Sequence, residues 1–424
     1  MDRQEDVSRL LREEVAVAHV EAVFDAITTF ESAVEGIYLV GGAVRDVLLG
    51  EPSFDIDLAV EGDAIAFGGS LAAALGGRFT PHQTFGTAVV QYGDGERLDV
   101  VTTRSERYHA PGALPTVEPA PIQEDLGRRD FTINAMAVSL RSSDFGRLVD
   151  PFGGREDLER GVVRVLHDRS FVDDPTRILR AVRYEERYGF RLDDHSAELV
   201  RRRVADGLVE ELSSSRLRDE LVALLEDPAA ARGFGRMGDL GVDHAMYRGL
   251  RADEPGAELF TRVLGFRDEL SVAVPAWRLG VAILARELTA DDTQAWLEHL
   301  EVRKRDVDRV AAAVALVPAV VARLRRGDLA PSDVVALVDA FAPDVPLLAL
   351  ALDDLPQLRE YFTRLRGVAL EIGGAELLEL GLPESPRVGE VLAELRRRKL
   401  DGKLDGRESE LTAARELLGA DDRP

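Results

Sequence analysis

The chain has 424 residues and carries 53 Lys plus Arg against 77 Asp plus Glu, a formal net charge of −24. Its 45% hydrophobic and 6% aromatic content is that of a folded chain and excludes disorder as the main state, and its length anticipates two to four domains. With no cysteine, disulfides, thiolate zinc sites and a cysteine nucleophile are excluded.

In chain order, the opening MDRQEDVSRLLREEVAVAHVEAVFDAI reads as a charged amphipathic helix rather than a signal peptide. Residues 1–36 form a helical extension. From residue 37 to 150, short β-prone runs (IYLV, DIDLAV, GTAVVQYG, RLDVVTT) alternate with helical stretches (AVRDVLLG, AIAFGGSLAAALGG), which predicts a mixed α/β head. Residues 103–125, with four prolines and little periodicity, read as a long loop. Beyond residue 150 helical patterns dominate, broken near prolines at 253–256, 329–331, 343–345 and 383–386. The expected divisions are a neck over 151–215, a body over 216–355 and a tail over 356–424. No apolar run approaches the ~18 residues of a membrane span, so a soluble, cytoplasmic chain is expected.

An acidic chain repels nucleic acid in bulk, so any such partner has to meet local positive charge. Residues 128–203 hold 16 Arg against 14 acids, whereas the remaining residues carry −26. The cations are almost all arginine, the only lysines being Lys304, Lys399 and Lys403.

The head carries three groups of interest. Gly41-Gly42 joins a buried strand to a helix bearing Arg45 and Asp46; glycines at such a turn let phosphate oxygens reach the amides at a helix N-terminus, although the pair alone reads equally as a tight turn. Twelve residues further on, Asp55 and Asp57 flank Ile56 in a strand and project from one face. Paired carboxylates there suit hard divalent cations, and two such ions assist in-line phosphoryl displacement. Asp99, in RLDVVTT, reaches the same site from a neighbouring strand or is a simple edge-strand aspartate.

Downstream, Arg128-Arg129 can fork onto triphosphate oxygens, with Asp130 holding one guanidinium and Asn134 bonding sugar or backbone. Asp174 and Arg177, three apart, present a carboxylate and a guanidinium. Cytosine and adenine match that pair, because each offers an exocyclic amine beside a ring acceptor; guanine and uracil oppose it. The alternative is that an aspartate merely caps the helix, a role Asp173 can take while leaving Asp174 free. Arg180 and Arg183 follow at three-residue steps, drifting about 60° each around the axis, which turns Arg183 away from Asp174.

Together GGAVRD, DID, RRDFTINAMA, LVDPFGG and DDPTRILRAVRYEERYGF resemble the class II tRNA nucleotidyltransferase and bacterial poly(A) polymerase family, densely over residues 37–190. The resemblance implies an α+β fold, a polymerase-β-like nucleotidyltransferase head followed by an elongated all-α neck, body and tail. It implies template-independent addition of C and/or A to the tRNA 3′ end from CTP and ATP, releasing pyrophosphate, with Mg²⁺ on Asp55 and Asp57. Asp99 joins them as a catalytic candidate. Gly41, Gly42, Arg45, Arg128, Arg129, Asp130 and Asn134 become nucleotide-binding candidates on the sugar-triphosphate side, Asp174 and Arg177 on the base, and Arg180 and Arg183 nucleotide-binding candidates whose contact need not be the base. LVDPFGG becomes the hinge between head and neck, and the tail an RNA-binding element. The family usually has Glu at the position of Asp173. CC-adding, A-adding and poly(A)-polymerase activities remain open, the last disfavoured by the lack of a basic extension. A non-catalytic RNA-binding relative is opposed by the DID pair, and a small-molecule nucleotidyltransferase would not need the helical half.

Weaker signals are the His167-Asp168 pair, read as incidental rather than a hydrolase site, and the basic runs Arg201–Arg203 and Arg396–Lys399, solvated faces or RNA contacts. Trp277 and Trp296 are expected in the core.

Overall fold

The computed structural model describes residues 18–51, 56–83, 86–107, 109, 115–207 and 214–421. The chain divides into two compact units, one of residues 1–220, 227–233 and 240–245, the other of residues 221–226, 234–239 and 246–424.

The first unit is built on a seven-stranded mixed sheet. Its strands are β1 (Gly36–Val40), β2 (Ile56–Glu61), β3 (Arg78–His82), β4 (Thr87–Tyr92), β5 (Glu96–Thr102), β8 (Ala137–Ser139) and β9 (Leu148–Val149), in the order β3-β4-β5-β2-β1-β8-β9. All five residues of β1 are buried, as its GIYLV sequence requires of a strand paired on both edges. β2 and β5 pair in parallel, which sets Asp57 opposite Asp99 on one sheet face. That face carries Tyr38, Val40 and Ala59 and is covered by Ile122 and Leu126 of the helix Ile122–Gly127. Leu58, Val60, Leu98 and Val100 are fully buried and alternate with them to the opposite face. The helix Ala64–Ala74 starts with Asp63 accepting from the amides of Ile65 and Ala66.

Residues 103–125 are not the expected irregular loop. Arg104–Arg107 (β6) and Thr116–Pro119 (β7) form an antiparallel ribbon, followed directly by the helix Ile122–Gly127. Proline was read as a loop signal, but a two-stranded ribbon has two free edges and tolerates Pro119 within β7.

Arginine-rich helical structure follows within the same unit. In LVDPFGG, Asp150 accepts from the amides of Gly154 and Arg155 and so starts the helix Gly154–Arg160. A Cβ on Gly154 would stand 2.1 Å from the Thr132 carbonyl, so only glycine fits that approach. The helices Arg177–Tyr188 and Asp194–Ala205 follow, with β10 (Val162–Val163) and β11 (Arg191–Leu192) as a small parallel pair.

Helices form the second unit. Helices beginning at Glu254, Pro331, Asp344 and Pro386 start at the four proline breaks, because proline is suited to a helix's first turn. Trp296 is buried as expected, whereas Trp277 is only half-buried. Residues 370–417 hold a cluster of their own around Ile372, Leu377, Val391, Leu395, Ala413 and Ala414. Among the described residues no single helix is long and apolar enough to cross a membrane.

Candidate nucleotide site

A cleft of about 850 Å³ opens within the first unit, and residues from nearly every motif singled out in the sequence line it. Its floor begins where β1 ends. Gly41 has φ 70° and ψ −133°, a conformation that only glycine adopts without strain, and Gly42 starts the helix Gly42–Leu49. A Cβ on Gly41 would lie 2.8 Å from Arg129 Nη1, and one on Gly42 3.2 Å from Arg45 Nη2. The glycine pair is therefore what lets two guanidinium groups close over the turn.

Asp57 lines the cleft beside this turn. Asp55 lies outside the described residues. Asp99 is the parallel-register partner of Asp57, and both its carboxylate oxygens accept from Arg97, at 3.0 Å each. Among the described residues no group of three or more metal-ligating side chains occurs. The donors on offer are carboxylate oxygens, which suit a hard divalent cation.

The two arginines after the ribbon share a buried acid that the sequence reading missed. Asp125 is fully buried; its Oδ1 accepts from Arg128 Nη2 at 2.8 Å and its Oδ2 from Arg129 Nη2 at 3.0 Å. Burial pushes the Asp125 carboxyl up, but the guanidiniums of Arg129 and Arg128 outweigh it and hold it below its ordinary value. Arg128 also donates to Glu106 at 2.7 Å and to the Arg104 carbonyl at 3.1 Å, which ties it to β6. The helical i, i+3 and i, i+4 spacing from Asp125 was the available signal.

Asp130 holds a guanidinium, as expected, but not that of a neighbouring arginine. Its Oδ2 accepts from Arg180 Nε at 2.9 Å and Nη2 at 2.7 Å, while Oδ1 takes the Phe131 amide and Asn134 Nδ2. The tight 3-10 turn at Thr132–Asn134 aims Asp130 at the helix Arg177–Tyr188. Burial raises the Asp130 carboxyl, yet the charge of Arg180 and the Asn134 hydrogen bond bring it down to about 2. Asn134 Oδ1 accepts from Arg45 Nη1 at 2.6 Å, so its amide is engaged on both ends. Arg45 is buried; its Nε and Nη2 donate to Asp46 at 2.9 and 2.8 Å.

Asp174 and Arg177 both line the cleft, in an arrangement that differs from the expected one. Asp174 precedes the helix in an extended conformation, because a residue before proline is excluded from the helical region. Its Oδ1 turns back to accept from the Thr176 amide at 3.1 Å and hydroxyl at 2.6 Å, so Asp174 itself organises the helix start. Asp173, expected to take that role, pairs instead with Arg169 at 3.0 Å. Asp174 Oδ2 meets Arg216 at 2.7 Å. Arg177 is buried and donates to Ser170 Oγ and to the Arg128 carbonyl, each at 2.7 Å.

Arg183 meets Glu220 and Tyr184 rather than Asp174, yet it reaches the cleft. Arg177, Arg180, Arg183 and Arg187 all line the cleft, since they span an arc of only about 120° and long side chains converge across it. Glu220, also unforeseen, pairs with Arg180 at 3.0 Å and Arg183 at 3.6 Å. Elsewhere, Asp168 pairs with exposed His195 at 2.8 Å, and Arg201 and Arg202 pair with Glu198. In the second unit Arg397 and Arg398 pair with Glu394, and Lys399 with buried Glu410.

Residues 37–164 match the model of the poly A polymerase head domain. An A-adding tRNA nucleotidyltransferase of Geobacter sulfurreducens is 37% identical over 399 residues, covering 89% of this chain and 44% of that protein. The A-adding tRNA nucleotidyltransferase of Halalkalibacterium halodurans is 32% identical over 90% of this chain and 88% of its own length. The chain thus spans less than half of the first relative and most of the second. The Thermotoga maritima CCA-adding enzyme complexed with tRNA superposes with a TM-score of 0.80 at 29% identity, covering 97% of this chain and 98% of that one. On sequence and fold together, the chain belongs to the tRNA nucleotidyltransferase and poly(A) polymerase family.

Proposed function

We propose that the chain extends the 3′ end of tRNA without a nucleic-acid template, using ATP or CTP and releasing pyrophosphate. The observation that carries this reading is the convergence, in one cleft, of the Gly41-Gly42 turn, the Asp57 carboxylate and the Asp174/Arg177 pair. The 3′-hydroxyl oxygen bonds to the α-phosphorus, the bond to the bridging oxygen breaks, and the hydroxyl loses its proton. Arg129, above the glycine turn, faces the triphosphate, and the amides at the helix start favour its negative charge. Asp125 keeps Arg129 in place. Arg45 supports the same end of the nucleotide. Asp174 accepts from an exocyclic amine and Arg177 donates to the ring acceptor beside it, which admits A and C and leaves G and U with unpaired groups.

A divalent cation, Mg²⁺ in this reading, would be held by Asp57 with Asp55 and would supply Lewis-acid charge at the reacting phosphate. Asp99 is the weaker candidate, because it is not among the residues that line the cleft, whereas Asp57 is. Both A-adding relatives favour addition of a terminal A as the program. Incubation with labelled ATP or CTP and tRNAs ending before C, before the last A, and complete decides among A, CC and CCA addition. No incorporation of either nucleotide on any of them refutes the proposal.

A further inference from the structure

The hydrogen bonds of the cleft close into a ring through a residue that the motifs do not single out. Arg45 donates to Asn134 at 2.6 Å, Asn134 donates to Asp130 at 3.0 Å, and Arg180 donates to Asp130 at 2.7 Å. Arg180 Nη2 also donates to the hydroxyl of Tyr184 at 2.9 Å. The Tyr184 ring returns to the start: it lies 5.3 Å from the guanidinium carbon of Arg45, 5.4 Å from that of Arg180 and 5.2 Å from that of Arg183. Tyr184 is buried to 8% exposure, and its edge packs against Phe131 with ring centroids 5.8 Å apart. One aromatic ring is thus the common neighbour of three cations drawn from two separate elements.

Three guanidiniums crowded together repel one another; the carboxylates of Asp46, Asp130 and Glu220 neutralise them, and the π-face of Tyr184 adds attraction at the point where all three meet. We propose that Tyr184 is a positioning residue that fixes Arg45, beside the Gly41-Gly42 turn, relative to Arg180 and Arg183 on the helix Arg177–Tyr188, so that two separate elements grip one nucleotide in a single register. The inference rests on the proposed nucleotidyl transfer. It predicts that a side chain on the helix Arg177–Tyr188 governs affinity for inorganic triphosphate, which has no base, as well as for ATP.

The test uses the full chain, with calorimetric titration of ATP and of inorganic triphosphate, and steady-state incorporation of ATP against GTP on tRNA lacking its last A. Tyr184→Phe keeps the ring and loses only the bond to Arg180; its triphosphate affinity is expected within about threefold of the parent. Tyr184→Leu removes the ring. It is expected to weaken inorganic triphosphate about tenfold, raise KM for ATP by a similar factor and narrow the ATP-to-GTP ratio. Circular dichroism checks folding, and Tyr184→Met, which fills the volume without a π-face, replaces the leucine variant if that fails to fold. A ring-free variant that binds triphosphate and selects ATP like the parent, with only its melting temperature lowered, overturns the inference. A parent that binds triphosphate but incorporates nothing refutes the proposed function instead, leaving the Tyr184 coupling to be judged on the triphosphate titration.

Discussion

Gly41 and Arg129 approach so closely that a single methyl group would separate them: a Cβ on the glycine stands 2.8 Å from the guanidinium Nη1. The backbone at Gly41 adds a second restriction, with φ 70° and ψ −133°. Gly41→Ala is therefore expected to cost about 1–3 kcal/mol of stability and to push Arg129 off the turn. Thermal melting and nucleotide titration check both effects, and a KM for ATP that stays unchanged contradicts the role given to Arg129.

Asp57, the described member of the acidic pair, lines the cleft. Asp57→Asn removes a charge needed to hold a divalent cation and is expected to slow incorporation by roughly 10³-fold, with nucleotide affinity far less affected. Single-turnover incorporation over a Mg²⁺ titration measures this. A rate within tenfold of the parent at every Mg²⁺ concentration rules out the assignment.

Asp174 serves both the helix start and, in the proposed mechanism, the base. Asp174→Ala is expected to cost about 1 kcal/mol through the lost cap and to shrink the preference for ATP over GTP on the order of 10²-fold. Competition between labelled ATP and GTP separates the two roles: a stability loss with discrimination intact leaves only the cap.

Asp130 carries a pH signature. Its carboxyl, at about 2 in the folded chain against an ordinary 3.8, is held down by Arg180 and Asn134 despite burial. A depressed carboxyl contributes stability above its unfolded value and loses it as pH falls through the folded value, so the contribution is full above about pH 4 and gone below about pH 2. It is on the order of 2 kcal/mol. Asp130→Asn is expected to melt below the parent at neutral pH, with the gap closing between pH 4 and 2. A constant gap over that range refutes the linkage.

Much of this arrangement was legible in the chain. Alternating apolar runs marked β1, β2, β4 and β5, and the Gly-Gly turn followed by a helix appeared where the residues required it, because strand periodicity and glycine chemistry are local properties. The proline breaks became helix starts for the same reason. What local patterns did not reveal was partnership. Asp130 points to Arg180, fifty residues away, rather than to its neighbours, and Asp125 escaped notice because its burial depends on the ribbon that covers it. The ribbon itself was hidden by its prolines. Arg183 turns away from Asp174 as its helix position requires, and it still reaches the cleft because a long side chain spans its arc. Pro175 forces Asp174 out of the helix, a consequence that the capping alternative for an aspartate did not include.

The apolar cluster of residues 370–417 gathers around Leu377, Leu395 and Ala414, and the Ser332 amide, donating to Asp401 at 3.0 Å, ties it to the helix Pro331–Val338. Amide protons in the helices Gly374–Glu379, Pro386–Leu400 and Gly406–Asp421 are therefore expected to exchange with solvent deuterium together, through one shared opening event.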